Sequence, residues 1–248
     1  MDIPLREVVS VNNKKAMYGL TVCVIVASVL VCCVWGSRTV SVLALQEIRN
    51  NQHRIVIDPG HGGIDGGATS CTGKRESSYN LEIALRLRDL FHLLGYPTGM
   101  TRTTDTSIHT QGQTIAAQKL SDLKERVRIA NEMPNSVLIS IHQNIFSDSK
   151  YSGAQVFYGT ADGSKLLAES LQSAFVTSLN PGSKRMAKEA DGIYLMEHIQ
   201  IPGILVECGF LSNPTEEPKL RTAEYQKKLC CVFVASVADF IERGYANT

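Results

Sequence analysis

Three short, almost wholly apolar runs constrain this chain most: Arg54-Ile-Val-Ile-Asp58, Val137-Leu-Ile-Ser-Ile141 and Ile204-Leu-Val-Glu207. Each is too short for a typical helix and lacks polar alternation, so each reads as a strand buried on both faces of a largely parallel sheet. Helical patterns lie between and after them. Glu76–Leu94 places Leu81, Ala84, Leu85, Leu87, Phe91 and Leu94 on an apolar face and stops at Gly95. Lys119–Met133 ends at Pro134, Asp162–Leu179 ends at Asn180-Pro181-Gly182, and Thr222–Glu242 closes the chain with a broad apolar face. Thr98–Arg102, Ala154–Tyr158 and Ile193–Met196 read as further strands, and the polar stretch Asp105–Gln118 as a surface loop. The alternation predicts an α/β fold: a single mixed, mostly parallel sheet with helices on both faces.

Ahead of this pattern, 22 residues from Ala16 to Ser37 carry no charge. As a helix rising about 1.5 Å per residue, the run reaches about 33 Å, enough for a hydrocarbon core of about 30 Å. It has no polar face, which argues against a core helix. Residues 16–37 therefore read as a transmembrane helix or signal sequence. Lys14 and Lys15 place residues 1–15 in the cytoplasm and everything after Arg38 on the extracytoplasmic side. Val42-Leu43-Ala44 is a weak cleavage site far from the apolar run, so an uncleaved anchor is the reading. Residues 38–52 form a linker and 53–248 one catalytic domain.

Basic and acidic residues nearly balance, 25 against 24, with no basic stripe and no aromatic-basic interleaving. Nucleic acid is not an expected partner. None of the seven cysteines has CxxC spacing, which disfavours a thiolate zinc site or a redox pair. A Cys71–Cys208 bridge is unsupported, and a chain of this size needs no disulfide.

Two imidazoles and two carboxylates stand where elements end or begin. His61 lies in the turn Asp58-Pro59-Gly60-His61-Gly62-Gly63, Glu76 opens the first helix, and His142 and Glu207 end strands. Catalytic groups of α/β sheets collect at such ends. The inventory suits a hydrolytic zinc site with three protein ligands, one position open to water, and one carboxylate left as a base. The residues alone leave open which carboxylate is ligand and which is base. Glu76 on its own serves equally well as an N-terminal helix carboxylate. Glu207 follows an apolar run, where an unpaired charge is costly, so function accounts for it better.

The glycines around His61 and at Gly66-Gly67 allow a tight bend around an ion. No phosphate-loop pattern aligns on them. Asp58 and Asn144 are placed to orient His61 and His142, with packing or turn capping as the plain alternative. Asp65 and Arg102 are weaker candidates for the same role or for substrate contact. His53, His92, His109 and His198 read as solvated or locally bonded, and Cys208 as a packing residue.

The motifs Ile57-Asp-Pro-Gly-His-Gly-Gly63, Asp65-Gly-Gly-Ala68, Glu76, Ser140-Ile-His142 with Asn144, and Glu207-Cys-Gly-Phe-Leu-Ser-Asn213 carry a resemblance over Arg54–Gly244. The chain resembles the zinc-dependent N-acetylmuramoyl-L-alanine amidases of the third amidase class, which cut peptidoglycan. Within them it is most similar to the germination-specific spore-cortex branch, through Ser152-Gly-Ala-Gln155, Gly192-Ile-Tyr-Leu-Met196 and Phe210-Leu-Ser-Asn-Pro214. The resemblance implies one Zn2+ held by His61, Glu76 and His142, with Glu207 catalytic. It implies hydrolysis of the amide joining the muramoyl lactyl group to L-alanine, as a first step towards muramic-δ-lactam that a separate muramic-acid deacetylase completes.

Some similar amidases stay inactive until an activator protein docks, and Asp105–Gln118 is the candidate segment for such control. Gln143 departs from the family's small or apolar residue and is expected to narrow the pocket or touch substrate. Two rival readings share the inventory: a catalytically weak peptidoglycan-binding scaffold, and a zinc deacetylase or peptidase acting on another wall amide.

Overall fold

The computed structural model describes residues 53–244. Six strands form one sheet: β1 (Arg54–Pro59), β2 (Thr98–Met100), β3 (Ser136–Asn144), β4 (Gln155–Tyr158), β5 (Lys188–Glu189) and β6 (Gly203–Phe210), in the order β2-β1-β3-β6-β4-β5. Every neighbouring pair is parallel except β4 with β6. The last strand in sequence is thus inserted between β3 and β4. The helices are α1 (Glu76–Leu93), α2 (Ile115–Asn131), α3 (Ser164–Ser178), α4 (Tyr194–His198), α5 (Glu217–Leu220) and α6 (Ala223–Glu242).

The period-2 alternation of the strands sorts the core into two layers. Ile55, Ile57, Ile139, Ile141, Ile204 and Val206 pack against Ile83 and Phe91 of α1, Leu171 and Phe175 of α3, and Phe233 of α6. On the other face Val56, Leu138 and Leu205 meet Ala130 of α2 and Leu195 and Met196 of α4. Ile139 is fully buried, and truncating it to alanine should cost about 2–5 kcal/mol. The same alternation leaves Asp58, His142 and Glu207 on the face of Val56, Leu138 and Leu205.

Three expectations are corrected. Helix α2 begins at Ile115, so the loop after Asp105 ends at Thr114, whose Oγ1 accepts from Ala117 N at 3.2 Å as an N-cap. The first turn of α2 exposes Ile115, which hid the helical periodicity. The strand expected at Ile193–Met196 is helix α4. Its adjacent Leu195 and Met196 are both buried, a spacing that a short apolar run leaves ambiguous between strand and helix. Strand β2 stops at Met100. The exposed β5 and the single-turn α5 had no apolar signature to announce them.

No helix among the described residues is long and apolar enough to cross a membrane. The anchor expected at residues 16–37 lies outside the described residues.

Candidate metal centre and active site

Beyond Pro59 the chain bends through His61, whose φ of 60° lies in the left-handed region that few non-glycine residues adopt. Two buried arginines fix this bend through its carbonyls. Arg126 of α2 donates to Pro59 O and His61 O, both at 2.8 Å, and pairs with Asp58 and Asp122. Arg102 donates to Pro59 O and Gly60 O at 2.9 Å and to Ser77 O at 3.0 Å. Gly60 is required because a Cβ there would stand 2.2 Å from the His142 ring. Gly67, at φ 66°, is required because a Cβ would lie 2.6 Å from both Glu76 Oε2 and the His61 ring.

Glu76 sits between the two histidines. Its Oε2 is 3.2 Å from His61 Nε2 and its Oε1 3.1 Å from His142 Nδ1. The Ala68 and Gln143 backbone N–H groups donate to it at 2.9 and 3.1 Å, and Asn80 Nδ2 at 3.2 Å. Burial opposes its charge, but hydrogen bonds and charge from His142 and His61 overcome this and hold the carboxyl well below its usual range. On the far side of His61, Nδ1 meets Asp65 Oδ2 at 2.9 Å, and Lys119 Nζ reaches Asp65 Oδ1 at 2.8 Å. Burial lowers the His61 pKa, yet the Glu76 and Asp65 carboxylates raise it to about 9. The ligand atoms of His61, Glu76 and His142 all lie within 4.8 Å of one another, the only such cluster among the described residues. Two imidazoles and a carboxylate with backbone-fixed oxygens suit one divalent cation.

Glu207 stands directly across from His142 in the β3–β6 register. Its Oε2 is shielded from solvent and has no hydrogen-bond partner. Burial raises its pKa to about 7, the charge of Glu76 adding to this while His142 and His61 oppose it. A carboxylate tuned near neutrality and left unpaired beside a cation site is equipped to accept and return a proton.

The remaining candidates take different places. Asp65 touches His61. Asp58 touches neither histidine ring: it accepts from Thr101 Oγ1 at 2.6 Å, Ser140 Oγ at 2.7 Å and Arg126, and so acts on the His61 turn through the arginine. Arg102 is buried and spends its guanidinium on the carbonyls of Pro59, Gly60, Ser77 and Thr104. Asn144 does not orient His142; it pairs with Phe210 past a bulge and lines a groove beyond Glu207. Gln143 turns inward, donating to Asn80 Oδ1 at 3.3 Å, so it neither narrows the pocket nor meets substrate. The cysteines of the described residues are unpaired, and Cys208 is buried in the sheet.

Arg126, Asn80 and Lys119 were not foreseen. Asp122 and Arg126, four apart on a helix, read in sequence as an ordinary surface pair. Only the fold shows that the arginine crosses to β1.

The sequence profile of N-acetylmuramoyl-L-alanine amidase (Amidase_3) matches residues 55–239. The germination-specific N-acetylmuramoyl-L-alanine amidase of Bacillus subtilis is 39% identical over 77% of this chain and 81% of that protein. N-acetylmuramoyl-L-alanine amidase LytC of the same species is 31% identical over 70% of this chain, which spans 32% of that longer protein. Among solved structures, the CwlD amidase of Clostridioides difficile, determined with the GerS lipoprotein, superposes with TM-score 0.74 and 34% identity, over 77% of this chain and 100% of that one. An N-acetylmuramoyl-L-alanine amidase from Clostridium difficile 630 superposes with TM-score 0.69 and 32% identity, over 78% of this chain and 99% of that one. With the profile spanning most of the sheet and both flanks of the His–Glu–His cluster, this chain belongs to the N-acetylmuramoyl-L-alanine amidase family.

Proposed function

We propose that this protein is a zinc-dependent peptidoglycan amidase, cutting between the muramoyl lactyl carbonyl and L-alanine, with His61, Glu76 and His142 as metal ligands and Glu207 as the catalytic base. The observation that carries the proposal is the placement of Glu207: unpartnered, shifted towards neutrality, and in register with one of three converging ligands. When bound, Zn2+ supplies Lewis-acid polarisation of the scissile carbonyl and activation of water. Glu207 Oε2 takes a proton from the attacking water and returns it to the leaving alanine nitrogen, so one water is consumed and a lactyl carboxylate and a free amine are released. Asp65 holds His61 Nδ1, so Nε2 is the nitrogen that would hold the ion. The two arginine clamps keep the bend rigid, so the ligands do not reorganise during the reaction.

The likeness to the germination-specific amidase supports a setting in the spore cortex, where stem removal is the first step towards muramic-δ-lactam and a muramic-acid deacetylase acts next. The uncharged run at 16–37 supports a membrane anchor with the catalytic domain on the extracytoplasmic side. The GerS complex of a structural relative supports a protein partner of lipoprotein type. The test is metal analysis of the purified protein with muropeptide profiling of wild type and Glu207→Gln. Free lactyl ends on intact glycan, with metal retained but cleavage lost in the variant, are expected. Metal without any cleavage leaves only a scaffold, and loss of acetyl groups instead of stem peptides indicates a deacetylase.

A further inference from the structure

Beside Glu207 the sheet opens into a groove of about 760 Å³, to which Asn144, Gln155 and Phe210 contribute. Phe146 and Tyr151, edge to face at 5.0 Å, give it an aromatic side. Lys184, Arg185 and Lys188 make it cationic, and none of the described residues lining it is acidic. Arg185 is held in place: Nη1 donates to Gln155 Oε1 at 3.4 Å, Nη2 donates to Ser152 O at 3.3 Å, and the guanidinium lies 5.1 Å from the Phe210 ring centroid. Glu216, whose charge Arg185 feels, does not balance the groove. Its carboxylate is buried and accepts from Gly153 N and Phe210 N, both at 2.8 Å. Lys184 and Lys188 are exposed, with no ion pair among the described residues. Three like charges around one concavity whose own lining holds no carboxylate favour an anionic occupant.

The sheet register fixes how far this charge lies from the chemistry. Gln155 is directly opposite Glu207, and Gln155 Nε2 donates to Met186 O at 2.7 Å. Glu207, Gln155 and the Arg185–Met186 segment form a row across the sheet. Two inter-strand steps of about 4.8 Å put the cations on the order of 10 Å from the base. An extended peptide covers that distance in about three residues, at roughly 3.3–3.6 Å each.

We propose that this groove is the subsite for the stem peptide of the substrate, with Lys184, Arg185 and Lys188 receiving its free carboxylates and the aromatic side covering its apolar parts. The proposal rests on the amidase reading above and adds which arm of the substrate the chain recognises by charge. The N-acetylated glycan is neutral, and its lactyl carboxyl is tied up in the scissile amide. The negative charge of the substrate therefore resides on the peptide, past the alanine.

The test uses the metal-loaded protein and its Lys184→Gln/Lys188→Gln double variant, both positions being solvent-exposed and tolerant of the change. Each is assayed on muropeptides with free stem carboxylates and on the same compounds with those carboxylates amidated. The variant should raise KM for the acidic substrate about 3–10-fold, as two partly screened charge contacts imply, and should match the parent on the amidated one. Lys165→Gln, on α3 and outside the groove, should match the parent on both. Calorimetric titration of the free acidic stem peptide, which needs no turnover, should show the same weakening. Equal KM shifts on both substrates, or unchanged peptide affinity, would overturn the subsite while leaving the amidase reading intact. A parent that cleaves neither substrate, yet binds the acidic peptide more tightly than the variant does, would overturn the amidase reading and keep the subsite.

Discussion

The two carboxylates at the centre of this protein, Glu76 and Glu207, are surrounded in opposite ways. Glu76 has both oxygens engaged, by two imidazoles, two backbone N–H groups and an amide, and the bend beside it is clamped by Arg102 and Arg126. Glu207 has an oxygen that touches no donor, and burial lifts its pKa to about 7. A group that must hold still is saturated with partners. A group that must exchange a proton is left wanting one. The contrast fits the ligand role proposed for Glu76 and the base role proposed for Glu207, a division that residue type alone leaves open.

The sharpest way to break this contrast is Glu207→Gln. It should lower kcat by about 10²–10⁴ while metal content stays at the parent level by elemental analysis. Metal loss on that change would mean that Glu207 is a ligand. Next is the clamp. Arg126→Met leaves Asp58 charged and buried without its partner, and should cost about 3–5 kcal/mol in urea unfolding of the metal-free protein. A loss under about 1 kcal/mol would show that the bend is held by something else. Asp65→Asn should weaken metal retention about 10–100-fold in a chelator competition, with the fold intact, because it loosens one histidine without removing a ligand.

The smallest effect sharpens the contrast through pH. In the metal-free protein the Glu207 pKa is about 7 folded against an ordinary value of 4.5 unfolded, so the folded state binds more protons between those values. Stability therefore falls as pH rises from about 4.5 to 7 and stays lower above it. Glu207→Gln removes that loss, so the metal-free variant should unfold at higher urea than the parent at pH 8 and at the same urea below pH 4. An identical difference at both pH values would contradict the raised pKa.

The architecture was readable because its strands are buried on both faces, which leaves apolar runs such as Val137–Ile141 that no other arrangement satisfies. His142 and Glu207 stood out because they close apolar strands and His61 because of its glycine-rich turn, whereas Glu76, at a helix start, was singled out only through the family resemblance. What stayed hidden depends on who faces whom. Gln143 is one residue from His142 and therefore on the opposite face of β3, pointing at Asn80. Asp58 reaches His61 only through Arg126, which is distant in sequence. The start of α2 and the nature of α4 were obscured by an exposed Ile115 and by two adjacent buried residues. In each case tertiary packing outweighed local periodicity.

Because β6 is the last strand in sequence yet lies between β3 and β4, the facing edges of those two strands have no partner until residues 203–210 arrive. A chain truncated before that point would present two bare inner edges and lack Glu207, the proposed proton acceptor. If Glu207 is the base proposed above, a fragment ending before β6 should be prone to edge-to-edge association and should not cut the wall.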